Sequence, residues 1–233
     1  MSFTTIGPKF KALVIGGSGS IGSAFVHALR IAPQCEWVET IARSQNAGFD
    51  LCHEGSIIEQ ANRCSSLGPF KLIVDATGAL TIDGEGPEKN IKALSSERLI
   101  KAFQINAIGP ALVIKHFAPL LTDITPIYAK LSARVGSITD NRKGGWYGYR
   151  ASKAALNMFL QTAAIELQRK RPNLIVAALQ PGTVDSALSK PFTANMMTLS
   201  PEQSVAGMLR TLQALKPKNG AHFVDYQGQP ITW

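Results

Sequence analysis

"KALVIGGSGSIGSAFVHAL", Lys11 to Leu29, is the stretch that decides the fold. An apolar run of strand length, Ala12 to Ile15, enters a cluster of glycines directly, and the residues beyond it carry helix-period hydrophobicity. Gly17, Gly19 and Gly22 satisfy GxGxxG in the strand-to-helix context that gives this spacing meaning. There, glycine permits a tight turn, lets backbone approach a pyrophosphate, and opens a helix whose amino end favours anions. The reading is a dinucleotide site; a glycine-rich turn without a ligand is the plain alternative.

Working outward, short apolar runs alternate with helical segments to the end of the chain. The strand-like runs are "KALVI", "WVETIA", "KLIVDA", "PIYAKLSA" and "LIVAAL". Helices are predicted over Ser20–Ile31, Ser56–Leu67, Ser95–Leu121, Tyr147–Lys170 and Ser200–Leu215. Ser56 with Glu59 fits a capping box, and Ser200 with Pro201 and Gln203 fits both the box and proline at the first helical position. Strands alternating with helices imply βαβ units, and runs lacking strict polar alternation suit parallel strands buried on both faces. The expected architecture is a single-domain α/β doubly wound parallel sheet over residues 1–233, with helices on both faces. Gly182 to Ser200 is a long irregular stretch for such a domain and is expected to act as a substrate loop.

The 233 residues include 20 glycines and only three cysteines, which argues against a disulfide scaffold. Cys35, Cys52 and Cys64 form no CxxC pair and have no companions at zinc-ligand spacing, so no metal site is expected. No run approaches the roughly 18 apolar residues of a membrane span, and the amino terminus lacks a signal-peptide core. A cytoplasmic protein is expected. The net charge of +8 invites a nucleic-acid reading, but the cations are scattered and the densest group, Arg169 to Arg171, sits at a helix end. Cations there complement the helix dipole. A solvated basic surface is preferred to a nucleic-acid groove, and neither nucleic acid nor membrane is expected as a partner.

The second strand sharpens the cofactor. An NAD site wants a carboxylate at its end to bind the ribose hydroxyls. Arg43 and Ser44 stand there, and Glu39 lies too early. An arginine and a hydroxyl suit a 2′-phosphate, so NADP(H) is favoured over NAD(H).

In the predicted helix, Tyr149 and Lys153 are four residues apart and share a face, whereas Tyr147 would face Ala151. A cation near a phenol favours the phenolate, and a phenol so tuned can exchange a proton with a carbonyl or alcohol oxygen. An aromatic residue beside a lysine on an amphipathic helix is the bland alternative.

These residues, with others in order along the chain, carry a resemblance. "YRASK" resembles the YxxxK signature of short-chain dehydrogenases/reductases, and "IGGSGSIG" is similar to the family's TGxxxGxG turn, with Ile15 for threonine and Ser20 for glycine. "FDL", "DATGAL", "INAIGP" and "PGTV" resemble further family segments. The pattern "RVGSI…GGWYGYRASKAALN" and the terminal "YQGQPITW" look most like carbonyl-reductase and C-factor-like members. The resemblance implies a Rossmann-type fold, NADP(H), a small carbonyl or alcohol substrate, and dimeric or tetrameric assembly. It also implies that Gly16, Ser18, Ser20, Ile21, Gly22, Arg43, Ser44, Asp50, Leu51, Ala76, Thr77, Gly78, Pro181, Gly182 and Val184 line the cofactor. Tyr149 would be the acid/base, Lys153 would lower its pKa and hold the ribose, and Asn106 would kink its helix to support a proton relay. Asn106, Tyr149 and Lys153 would also touch the cofactor.

One position departs from the pattern. Where the family places a second serine at the end of the fifth strand, "KLSARVGS" has Ala133. Ser132 is the first candidate for the substrate oxygen and Ser137 the alternative. Ala133 motivates a rival function, a low-turnover cofactor-binding signalling protein of C-factor-like type. A further rival is an interaction protein that assembles through its long helices. Leu188, Phe192, Met196 and Met197 in the loop suggest a fairly apolar carbonyl substrate; a surface lid whose apolar groups pack on the body is the plain alternative.

Overall fold

The computed structural model describes residues 7–46, 48–186 and 197–233. Its strands are β1 (Phe10–Ile15), β2 (Cys35–Ile41), β3 (Leu72–Asp75), β4 (Ile127–Leu131), β5 (Ile175–Gln180) and β6 (His222–Asp225). They form one sheet in the order β2-β1-β3-β4-β5-β6, and every neighbouring pair is parallel. The helices are α1 (Ser20–Arg30), α2 (Glu54–Ser65), α3 (Ser96–Phe103), α4 (Gly109–Phe117), α5 (Tyr147–Gln168) and α6 (Pro201–Ala214). This is the expected Rossmann-type α/β architecture.

The sheet separates two apolar cores. On one face Val14, Val74, Ala129, Ala177 and Val224 pack with Phe25 and Leu29 of α1 and Met208 and Leu212 of α6. On the other, Leu13, Ile73, Tyr128 and Val176 meet Ile57 of α2, Val113 of α4 and Leu156 and Leu160 of α5. β1, β3, β4 and β5 are buried on both faces, which is why their sequences are apolar without alternation. The strand order reverses at β1: the chain runs outward to β2, then returns across β1 to β3. The crevice at the carboxyl ends of these strands is where ligands bind in such sheets.

Three local features add to or correct the sequence reading. α2 begins at Glu54, and the Ser56–Glu59 box does not form, because the Ser56 hydroxyl donates to the carbonyls of Asp50 and His53 instead (both 2.8 Å). The helix predicted over Ser95–Leu121 carries a π-turn, Gln104–Ile108, between α3 and α4, around the Asn106 at which a kink is expected. β6 was not foreseen: four residues ending in an acid, "HFVD", carry too little pattern to declare a strand. The Ser200–Gln203 box, by contrast, is present in both directions, with Pro201 at the first helical position.

Leu188, Phe192 and Met196 of the expected substrate loop lie outside the described residues; Met197 is fully exposed. The base of the loop is tied, since Asp185 donates to Leu199 and Leu199 to Thr183 (both 2.8 Å). Among the described residues no helix is long and apolar enough to cross a membrane.

Candidate active site

The carboxyl ends of β1, β2 and β3 meet at the glycine turn. The amides of Gly16 and Gly17 donate to Ile41 at the end of β2 (2.7 and 3.2 Å). Gly16 has φ +84°, and a Cβ there would press on Ala76 and Thr77 at 3.1 Å. At Gly22 a Cβ would lie 2.1 Å from the Gly16 carbonyl oxygen, so the first turn of α1 is drawn against the loop as only glycine allows. Gly19 caps α1 without a side-chain hydrogen bond, and no acid occupies the first turn. A cradle made of backbone at an uncapped, acid-free helix start fits a pyrophosphate. Ser18 and Ser20 are exposed in this turn and Ile21 is partly buried.

Arg43 and Ser44 follow β2 in an exposed turn on the same edge. Glu39 is occupied elsewhere, paired with Arg63 of α2 at 2.8 Å. Asp50 accepts from the Cys52 amide and faces His53 Nδ1 (both 2.9 Å), and these partners, the amide first, hold its carboxyl below the usual range. The Leu51 carbonyl lies 2.7 Å from where a Gly109 Cβ would stand, joining this turn to α4.

Beyond β3 the backbone turns under Asn106. This residue is fully buried in the π-turn, and its amide grips Ala79 from both sides, accepting from its N–H (2.9 Å) and donating to its carbonyl (2.8 Å). Pro181, Gly182 and Val184 follow β5. Gly182 has φ +80° and leaves room for Tyr226, the Pro181 carbonyl accepts from Ser204 of α6 (2.6 Å), and Val184 is buried.

α5 carries Tyr149 and Lys153. Its start is fixed by a residue that no sequence signal marked: buried Glu88 accepts from the Trp146 amide through its carbonyl (2.5 Å) and from the Gly148 amide through its carboxylate (3.0 Å). Tyr149 opens onto a crevice with Ala79, Leu80, Glu88, Ala102 and Asn106, while Tyr147 is exposed. Lys153 Nζ lies 5.7 Å from the centre of the Tyr149 ring and donates to the Leu131 carbonyl (3.2 Å). It also lies 3.3 Å from where a Gly78 Cβ would stand, so glycine at 78 keeps room for the ammonium. Burial pushes the Tyr149 phenol up to about 12. Burial first, and then the charge of Lys130, push Lys153 down to about 7, against a smaller upward pull from Asp75.

The two serines are engaged. Ser132 donates to Asn157 Oδ1 of α5 (2.6 Å), and Ser137 accepts from the Asp140 amide (3.1 Å) and lies 3.3 Å from the Thr139 hydroxyl. Ala133 is extended and partly exposed between β4 and the following turn.

Behind the site, sequence reading missed an ion pair. Asp75 ends β3 and Lys130 sits in β4; both side chains are fully buried and meet at 2.9 Å. A lone charge in the strand-like run "PIYAKLSA" is the available signal, but its partner lies 55 residues away.

The short chain dehydrogenase pattern matches residues 11–197, and the chain belongs to this family of NAD(P)-dependent oxidoreductases. It is 29% identical over 187 residues to 1-hydroxy-2-glutathionyl-2-methyl-3-butene dehydrogenase of Rhodococcus sp. (strain AD45), covering 80% of this chain and 79% of that one. It is 35% identical over 136 residues to the C-signal of Myxococcus xanthus, covering 58% and 78% respectively. A short-chain dehydrogenase/reductase from Burkholderia multivorans, solved with NADP bound, superposes with a TM-score of 0.78 at 25% identity, covering 97% of this chain and all of that one.

Proposed function

We propose that this protein is an NADPH-preferring oxidoreductase that reduces a small carbonyl compound, with Tyr149 as proton donor. The observation that carries the reading is the Tyr149–Lys153 pair on one face of α5, opening onto a crevice beside the residue-79 turn that Asn106 holds. Burial keeps the phenol protonated at neutral pH, which suits giving a proton to a developing alkoxide. The backbone of Gly16 to Gly22 would hold the pyrophosphate, Arg43 and Ser44 the 2′-phosphate, and Asp50 with Leu51 the adenine. Ala76, Thr77 and Gly78 would flank the ribose, and Pro181, Gly182 and Val184 the nicotinamide ring. The bound dinucleotide supplies the hydride. Lys153 would orient the ribose and lower the Tyr149 pKa when charged, and Asn106 would fix the π-turn from which a proton path leaves. The Burkholderia relative, solved with NADP, and the exposed Arg43 support the cofactor preference.

Ser132 is carried as the residue serving the substrate oxygen, with Ser137 as the alternative; Ser132 would have to turn its hydroxyl away from Asn157 to do so. That engagement, together with Ala133 and the likeness to the C-signal, favours the second reading, a signalling protein with slow turnover. A single cytoplasmic domain over 1–233 that assembles as a dimer or tetramer belongs to the same proposal. The test is oxidation of NADPH and NADH in the presence of a panel of aldehydes, ketones and quinones. Turnover preferring NADPH supports the reductase; tight NADPH binding with no turnover on any member supports the signalling reading.

A further inference from the structure

Two lysines are buried side by side behind the residue-77 turn, and their surroundings differ. An ammonium has three protons to place. Lys130 finds a partner for each: Asp75 Oδ1 at 2.9 Å, the Thr77 carbonyl at 2.7 Å and the Thr77 hydroxyl at 2.9 Å. The Thr77 hydroxyl in turn donates to Asp75 Oδ1 (2.6 Å), closing the group. Burial pulls the Lys130 ammonium below its ordinary value, and the carboxylate of Asp75 works against that pull. Lys153 stands one residue further along the same turn, against Gly78, and its described hydrogen bond goes to the carbonyl of Leu131, next to Lys130 in sequence. Lys130 is therefore the better-partnered cation, beside a second lysine whose own charge is less well held.

We propose that the Asp75–Lys130 pair sets the charge carried by Lys153: Lys130 opposes its ammonium and Asp75 sustains it. Both are positioning residues, acting through Lys153 without touching substrate. The proposal rests on the reading of Tyr149 and Lys153 as the acid/base pair, since it is the Lys153 ammonium that favours a phenolate at Tyr149. The ionisable groups acting on or beside Lys153 are Lys130 from β4, Asp75 from β3 and Tyr149 from its own helix, and Tyr128 of β4 lies under the influence of Asp75. Burial raises the Tyr128 hydroxyl well above its ordinary value, so it stays neutral. Arg134, from the turn packed on α5, is directed outward to Asp140 and Asp225. The pair also explains a lysine in the middle of a strand buried on both faces, where an apolar residue would otherwise be expected.

The two members of the pair act in opposite directions, which makes the proposal testable by sign. In protein labelled with [ε-13C]lysine, the Lys153 resonance is identified by its loss in Lys153→Met, and its titration midpoint is followed without cofactor or substrate. Lys130→Met should raise the midpoint and Asp75→Asn lower it, each by about one pH unit or more, as a nearby charge does. Either single change leaves a buried partner unpaired, so the double variant Asp75→Asn/Lys130→Met guards against misfolding. Lys130 acts on Lys153 more strongly than Asp75 does, and the double variant should therefore titrate above the wild type but below Lys130→Met. Shifts of the same sign in both single variants, or an unmoved midpoint in the double variant, would overturn the proposal. The titration needs no turnover. Its failure leaves the reductase reading standing, and an inactive enzyme with the expected shifts would overturn that reading alone.

Discussion

The two halves of the crevice are built from different material. Around β1 and β2 the surfaces come from backbone: Gly16 at positive φ, Gly22 in contact with the Gly16 carbonyl, and a helix start with no side-chain cap. Around β4 and α5 they come from buried polar side chains, namely Asn106, Lys130, Ser132, Lys153 and Asn157. The first half can hold an anion of fixed shape but has no proton to move. The second can move protons, and its state depends on charges that influence one another through a medium of low polarity. Steric changes should therefore dominate in the first half and electrostatic ones in the second.

The largest effect is expected at Gly22. Gly22→Ala places a methyl group 2.1 Å from backbone that cannot move away. It should cost at least the usual ~1–3 kcal/mol of an overpacked site and abolish NADPH binding, read by thermal unfolding and cofactor fluorescence. Next is a gain. With Ser132 held by Asn157 in the absence of substrate, Ala133→Ser adds a free hydroxyl; if Ser132 does not turn to the substrate oxygen, kcat for a carbonyl substrate should rise by about a hundredfold, the scale of one oxyanion donor. An unchanged kcat would mean that Ser132, Ser137 or water already fills the role. Arg43→Ala should weaken NADPH binding by about 10- to 100-fold, the loss of one hydrogen-bonded charge, and leave NADH unaffected.

The last effect is a slope. Lys153 titrates at about 7 in the folded protein against an ordinary lysine value of 10.5, so between these values the unfolded chain binds more protons. Stability should rise with pH across that window. Tyr149 works in the opposite sense: its phenol is raised from 10.0 to about 12, so stability should fall above pH 10. Unfolding midpoints measured from pH 7 to 10 should rise less in Lys153→Met than in the wild type.

The same division decides what could be read in the sequence. Glycines at fixed spacing after a strand announce a backbone-built turn, because no other residue tolerates Gly16's φ or Gly22's contact. Five of the six strands announce themselves as apolar runs; β6, with His222 and Asp225 at its ends, does not. Tyr149 and Lys153 are visible because they are local, one helical turn apart. Asp75 and Lys130 are not, since only the β3–β4 register pairs them. Glu88 is hidden for the same reason: it meets α5 from the glycine-rich loop at residues 83–90, 60 residues away from Gly148. The engagement of Ser132 by Asn157 likewise needs the packing of α5 on β4.

The most direct measurement compares wild type and Tyr149→Phe for NADPH binding and for carbonyl-dependent NADPH oxidation, side by side. Phenylalanine keeps the ring and removes only the proton donor. The account predicts unchanged binding and turnover reduced by about 10²- to 10⁴-fold, the contribution of a positioned general acid. A variant that binds NADPH and turns over at the wild-type rate would contradict it.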